Sequence, residues 1–171
     1  MRLQVRPLIV TAMFATIALL LSYVETIMPI FLIPIPGFKI GLSNIVVAAL
    51  ITISPIMSFN ILLLKVTVTA LLFGSPISLL FSACGGLCSY FAMYLIARFM
   101  GERVSHIGIN AVGAFSHSIG QLLVTAAIYG VNVALSYSSP MMFSSVVCGV
   151  ALGLILNFFY VRLKNILEKN Y

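Results

Sequence analysis

The chain has 171 residues, of which 62% are hydrophobic and 7% are charged. A soluble domain carries about 25% charged residues, so this composition excludes an ordinary soluble fold and predicts an integral membrane protein with one transmembrane domain, residues 1–171. The net charge of +6 comes from single basic residues scattered between apolar runs, which argues against a nucleic-acid-binding patch.

Six segments are apolar enough to cross a bilayer as helices, which takes about 20 residues with some variation for tilt. In chain order they are residues 8–27, 39–54, 56–73, 76–97, 107–128 and 141–161. Pro and Gly residues separate them, and we expect the stretch from Gly130 to Pro140 to be a connection. Because lipid cannot satisfy exposed backbone groups, helices are favoured over strands. The sequence predicts an all-α membrane protein with six transmembrane helices.

The basic residues indicate how these helices are oriented. If the N-terminus is cytoplasmic, six crossings return the C-terminus to the cytoplasm. Seven of the nine basic residues then lie on the cytoplasmic side, as the positive-inside rule expects. They are Arg2, Arg6, Arg98, Arg103, Arg162, Lys164 and Lys169. Lys39 and Lys65 lie on the outer side and need another explanation.

Lys65 interrupts the third span about 13 Å from its outer end near Gly74, at 1.5 Å per residue. A charge at that depth costs several kcal/mol if it faces lipid. Two explanations are open: the side chain can snorkel to the outer headgroups, or it can face a polar cavity. We favour the cavity because Lys39 is a second basic residue on the same side, although Lys39 alone could equally be an interfacial anchor.

Further polar residues are expected in the same outer half. Asn44 lies about a turn and a half into the membrane from Lys39, and its amide needs a partner. In the fifth span Gly113, His117 and Gln121 share one helix face, although a buried histidine paired with a neighbouring helix is an alternative. The candidate substrate-binding residues are Glu25, Lys39, Asn44, Lys65, His117 and Gln121.

The chemistry of this set favours an anionic or zwitterionic small molecule. Two lysines and a histidine face a single glutamate, which could meet an amine of the ligand or pair with a lysine. No carboxylate or second histidine lies at metal-ligand spacing from His117, so we predict no metal site. The cysteines lie in apolar segments and are expected to be packing residues. The inner halves of the spans hold few polar groups, which argues against a continuous channel.

Small residues four positions apart predict close contacts between helices. For most of these pairs, packing within the chain is favoured over a subunit interface: Ser82 with Gly86, Gly85 with Ser89, and Gly149 with Gly153. In the first span the pairs are Thr11 with Ala15 and Ala12 with Thr16, and there we predict an interface with another subunit.

Three motifs carry a resemblance to a known family. They are Pro36-Gly-x-Lys-x-Gly-Leu-x-Asn-Ile45, Leu72-Phe-Gly74 followed by Gly85-Gly86, and His117-x-Ile-Gly-Gln121. At these positions the chain resembles the bacterial Gx transporter family, also called heptaprenyl diphosphate synthase component I. The family is in turn similar to the substrate-binding S components of energy-coupling factor (ECF) transporters, which are six-helix bundles.

The resemblance implies an importer component in the bacterial cell membrane. Such a component captures a micronutrient at the outer face and works with a coupling subunit and two ATPases, and its first span packs on the coupling subunit. The chain has no Gly-rich phosphate loop, so we expect no cofactor in this chain and ATP hydrolysis only in the partners.

The synthase name suggests an alternative. Prenyl diphosphate chemistry uses clustered carboxylates to hold magnesium, whereas this chain has three separated glutamates and no aspartate. We therefore expect the chain not to be an enzyme by itself. It could be a non-catalytic membrane subunit associated with polyprenyl diphosphate or quinone precursor synthesis, with a soluble prenyl diphosphate synthase subunit as its partner.

Overall fold

The structure is a computed structural model that describes residues 5–27, 41–73 and 76–168. These residues form six α-helices, and no strand occurs within these ranges. The helices are α1 (Val5–Ile27), α2 (Asn44–Ile51), α3 (Pro55–Phe73), α4 (Pro76–Met100), α5 (His106–Tyr129) and α6 (Val131–Glu168), with a 3-10 turn at Gly101–Arg103. The predicted all-α class is confirmed.

Five of these helices, all except α2, are long and apolar enough to cross a membrane. α2 has only eight residues, so at 1.5 Å per residue it is about 12 Å long, well short of a hydrocarbon core of about 30 Å. The prediction of a full span over residues 39–54 is therefore wrong in the described part of the chain. Most of α2 is buried against other helices, which explains its apolar sequence. The count of six spans and the cytoplasmic termini stay predictions.

α6 runs without a break from Val131 to Glu168, so the predicted connection between Gly130 and Pro140 is also wrong. Gly130 alone turns the chain between α5 and α6, with φ of 93°. Pro140 lies inside the helix and has no N–H to donate. Nearby hydroxyls bond to helix carbonyls, as Ser138 Oγ does to Leu135 O at 2.7 Å. Such local adjustments make proline tolerable in a membrane helix.

α5 lies between α4 and α6, and glycines set its distance from both. A Cβ atom on Gly120 of α5 would lie 2.5 Å from the carbonyl oxygen of Cys84 in α4. A Cβ atom on Gly153 of α6 would lie 2.5 Å from the Cα atom of Ile107 in α5. The prediction that the Gly149 and Gly153 pair packs within the chain is confirmed.

α1 packs on the other side of the bundle, against α2 and α3. Ala15 and Ala18 of α1 lie in a buried cluster with Leu50 of α2 and Ile61 of α3. A second cluster joins α2 and α3 to α4, α5 and α6 around Leu62. α2 is thus surrounded by protein, and its N-terminal end projects polar groups between the two halves of the bundle.

Candidate functional site

Lys65 of α3 lies inside the bundle, with 5% of its surface exposed. Its ammonium group donates to Asn44 Oδ1 at 2.6 Å and to Ser43 Oγ at 2.7 Å. Both acceptors are neutral groups at the start of α2. Snorkelling to the headgroups is therefore not the conformation of this lysine.

His117 of α5 contacts Asn44, one of the two acceptors for Lys65. Its Nδ1 lies 3.3 Å from Asn44 Nδ2, and its Nε2 lies 3.2 Å from the side-chain amide of Gln121. Since Asn44 Oδ1 accepts from Lys65, the Asn44 amide nitrogen must donate to His117 Nδ1. A neutral imidazole then carries its proton on Nε2 and donates to Gln121, whose amide can present its oxygen after a half-turn. The network thus holds His117 in one tautomer.

The position of this imidazole depends on a glycine in the neighbouring helix. A Cβ atom on Gly85 of α4 would lie 2.8 to 2.9 Å from three atoms of the His117 ring. The ring therefore occupies the space that a side chain at position 85 would fill. Because position 85 is a glycine, the backbone of α4 borders the site directly.

Glu25, at the end of α1, ties the first helix to the same region. Its carboxylate accepts a hydrogen bond from the backbone N–H of Gly41, just before α2. Glu25 is buried, with 5% exposure. A buried carboxylate near a buried ammonium group lowers the cost of both charges.

Four of the predicted site residues line one cavity: Glu25, Asn44, Lys65 and His117. Gln121 is fully buried behind His117, and Lys39 lies outside the described residues. The free space among the lining side chains is about 20 Å³, which is room for about one water molecule. The cluster is therefore closed, and its polar groups bond mainly to one another.

The cavity also has polar lining residues that the sequence prediction missed: Ser22, Ser43, Thr69 and Ser82. Thr69 follows Lys65 by one helical turn, and Ser22 precedes Glu25 by three residues, so helical spacing from the charged residues could have identified both. Ser82 has no charged neighbour in α4 to indicate it. The hydroxyl of Thr69 is buried and makes no hydrogen bond to any described residue.

The predicted interface residues of α1 divide between two faces. Ala15 is buried in the core against α2 and α3, and Thr11 is half-buried. Ala12 and Thr16 are exposed, and the Thr16 hydroxyl bonds to Ala12 O at 2.8 Å. A partner helix can therefore contact Ala12 and Thr16 directly.

Other types of site find little support in the described part of the chain. No three His, Cys, Asp or Glu side chains there are grouped closely enough to hold a metal ion. Cys84, Cys88 and Cys148 are free thiols inside apolar helices.

These features define a multi-pass membrane protein with a polar cluster buried between its helices. The family model for heptaprenyl diphosphate synthase component I matches residues 14–159, and the chain belongs to this family. The resemblance noted from the sequence motifs is thereby confirmed. Comparisons with curated proteins and with solved structures give no match.

Proposed function

We propose that the chain is the substrate-binding component of an ECF-type importer in the bacterial cell membrane. Its ligand is a small anionic or zwitterionic molecule, bound by the Lys65 cluster in the outer half of the bundle. The observation that carries this proposal is the buried ammonium group of Lys65, held by side chains of α2. Burying a charge costs several kcal/mol, and apolar packing of the same volume would stabilise the bundle as well or better.

The closed cluster suggests how a ligand would bind. A molecule larger than water needs the side chains to separate, because the free space is only about 20 Å³. A carboxylate of the ligand can replace Asn44 and Ser43 as the acceptor for Lys65. A carboxylate brings a full negative charge to the ammonium group in place of neutral acceptors, and the resulting ion pair favours the ligand. The buried Thr69 hydroxyl offers a further hydrogen bond.

The proposal assigns energy coupling to partner subunits. The exposed Ala12 and Thr16 of α1 are small enough to let a helix of a coupling subunit approach closely. ATP would be hydrolysed by the two ATPases that act on that subunit.

Replacement of Lys65 by Met tests ligand binding. The full chain is purified in mild detergent, and the small molecules that it retains are measured by mass spectrometry. We expect wild type to retain one compound that Lys65→Met loses, while the variant remains folded as judged by circular dichroism and size-exclusion chromatography. Ser136→Ala, an exposed change in α6, is the matched control. Equal retention by Lys65→Met and wild type would contradict the proposal.

A second candidate is favoured by the name of the family. The chain would then be a non-catalytic membrane subunit associated with polyprenyl diphosphate synthesis. The carboxylates that hold magnesium would come from a soluble prenyl diphosphate synthase, and Lys65 would contact a diphosphate. Affinity purification from the native membrane separates the two functions. A coupling subunit with ATPases supports import, whereas an Asp-rich prenyl synthase supports the second candidate.

A further inference from the structure

A second, larger cavity lies at the opposite end of the bundle, where α2 and α4 end and α5 begins. Its volume is about 690 Å³, within the range of about 300 to 1,000 Å³ that small-molecule sites have. Its described lining consists of apolar residues, two glycine or proline positions and five side chains with polar groups, Thr52, Tyr94, Arg98, His106 and Tyr160. None of these residues is acidic.

Arg98, in the last turn of α4, is the charged residue of this lining. Its guanidinium makes no hydrogen bond or ion pair with any residue that the structure describes. A guanidinium presents a planar fork of N–H groups that matches the oxygens of a phosphate. The cavity therefore contains an anion-binding group that the described fold does not use.

Two hydroxyl groups lie on another wall of the cavity. Thr52 Oγ1 and Tyr160 OH are 3.0 Å apart, and either one can donate to the other. One O–H is used in that bond, which leaves the second O–H as a donor. The Tyr160 ring packs against the His106 ring with centroids 3.6 Å apart, which fixes the hydroxyl's position. The Nδ1 atom of His106 makes no hydrogen bond to a described residue, so this ring also keeps polar capacity.

We propose that this cavity binds a phosphate group. The Arg98 fork holds the phosphate oxygens, and the hydroxyl pair of Thr52 and Tyr160 donates to one of them. The remaining walls are apolar or aromatic and suit the glycerol and acyl part of an amphiphile. Basic recesses between membrane helices on the cytoplasmic side bind lipid headgroups in this way. The site is separate from the Lys65 cluster and does not depend on the proposed import function.

The phosphate can come from an anionic lipid or from solution, and binding assays on the full chain in a neutral detergent distinguish the two. One probe is dihexanoyl phosphatidic acid, and the other is inorganic phosphate. We expect wild type to bind at least the first probe. Arg98→Gln should weaken binding about tenfold or more, since a charged hydrogen-bonding group is lost. Tyr160→Phe should weaken it about threefold, because a neutral donor contributes less.

Arg103 provides a matched control, because it is exposed at the same end but does not line the cavity. Arg103→Gln should bind like wild type. Arg98→Lys keeps the charge but loses the fork, so it should bind more weakly than wild type and more tightly than Arg98→Gln. If the glutamine variant fails to fold, weaker binding by Arg98→Lys than by wild type still tests the fork. Binding of phosphatidic acid alone identifies a lipid site, and equal binding of inorganic phosphate identifies a free-phosphate site. Failure of wild type to bind either probe, or equal weakening by Arg98→Gln and Arg103→Gln, would overturn the proposal.

Discussion

The polar groups are closely packed and hydrogen-bonded at one end of the bundle and surround an open cavity at the other. Around Lys65 the charged and polar side chains bond to one another and leave about 20 Å³ of free space. Around Arg98 the polar groups border a cavity of about 690 Å³, and the Arg98 guanidinium and the His106 Nδ1 atom make no hydrogen bond to a described residue. Burial explains the difference, because a charge far from water must be satisfied by protein, whereas a charge at the membrane surface can be left to solvent or a ligand. Changes at the closed end should therefore affect stability, and changes at the open end should not.

The largest loss of stability is expected where backbones touch beside the closed cluster. In Gly120→Ala the new methyl group would meet the Cys84 carbonyl at 2.5 Å, and neither backbone can yield. We expect the free energy of unfolding to fall by about 3 kcal/mol, measured by thermal or denaturant unfolding in detergent. Gly108→Ala is the control, because the nearest atoms there belong to side chains. A similar loss in both variants would show that the close α4–α5 contact is not the cause.

Asn44→Ala should be the next most damaging change, because it removes one acceptor from the buried ammonium group. We expect a loss of about 2 kcal/mol. In a Lys65→Met background the same change should cost clearly less, since no buried charge then needs the amide. The double-mutant cycle measures this coupling directly. Additive losses would mean that the Lys65–Asn44 bond contributes nothing to stability.

Gly85→Ala should have a smaller, local effect. Its methyl group would meet the His117 ring, which can turn away at a cost of about 1 kcal/mol. The chain has two histidines, so NMR of ring-labelled protein reports on each end of the bundle separately. We expect the signals of His117 to shift and those of His106 to stay. If the His106 signals shifted and the His117 signals did not, the methyl group at position 85 would not be acting on the His117 ring, and the prediction would be wrong.

Tyr160→Phe should have the smallest effect. It removes a hydrogen bond to the exposed Thr52 hydroxyl, so the loss of stability should stay below about 1 kcal/mol. Thr52→Val removes the same bond from the other side and should match it. A loss as large as that of Asn44→Ala would show that the open end supports the fold after all, and the contrast between the ends would fail.

Much of the fold and of the Lys65 cluster follows from the sequence. Hydropathy predicts helices, and the high cost of a charge in lipid predicts that Lys65 faces inward toward Asn44 and His117. Hydropathy cannot distinguish a helix surrounded by lipid from one surrounded by protein. It therefore predicts a membrane span where the short helix α2 is buried inside the protein. Proline often ends a helix, so the sequence predicts a connection up to Pro140, yet α6 continues through this residue.

Other features of the two sites depend on distances that no single-sequence pattern contains. The serines and Thr69 around the Lys65 cluster are common in membrane helices, and only their position next to charged residues makes them notable. The volume of each cavity depends on how closely the helices around it approach one another, as α4 and α5 do beside the Lys65 cluster. That approach is set by individual glycines such as Gly120.

The length of α6 links the protein to the thickness of its membrane. Its candidate span, Val131–Tyr160, has 30 residues and is about 45 Å long, compared with a hydrocarbon core of about 30 Å. Tilting alone would need about 48° from the bilayer normal, more than the roughly 40° at which membrane helices reach their limit. A bilayer with its headgroup layers is about 40 to 45 Å thick, so the ends of such a helix reach into these layers. We therefore expect the tilt of α6, and with it the stability of the protein, to depend on the acyl-chain length of the surrounding lipid.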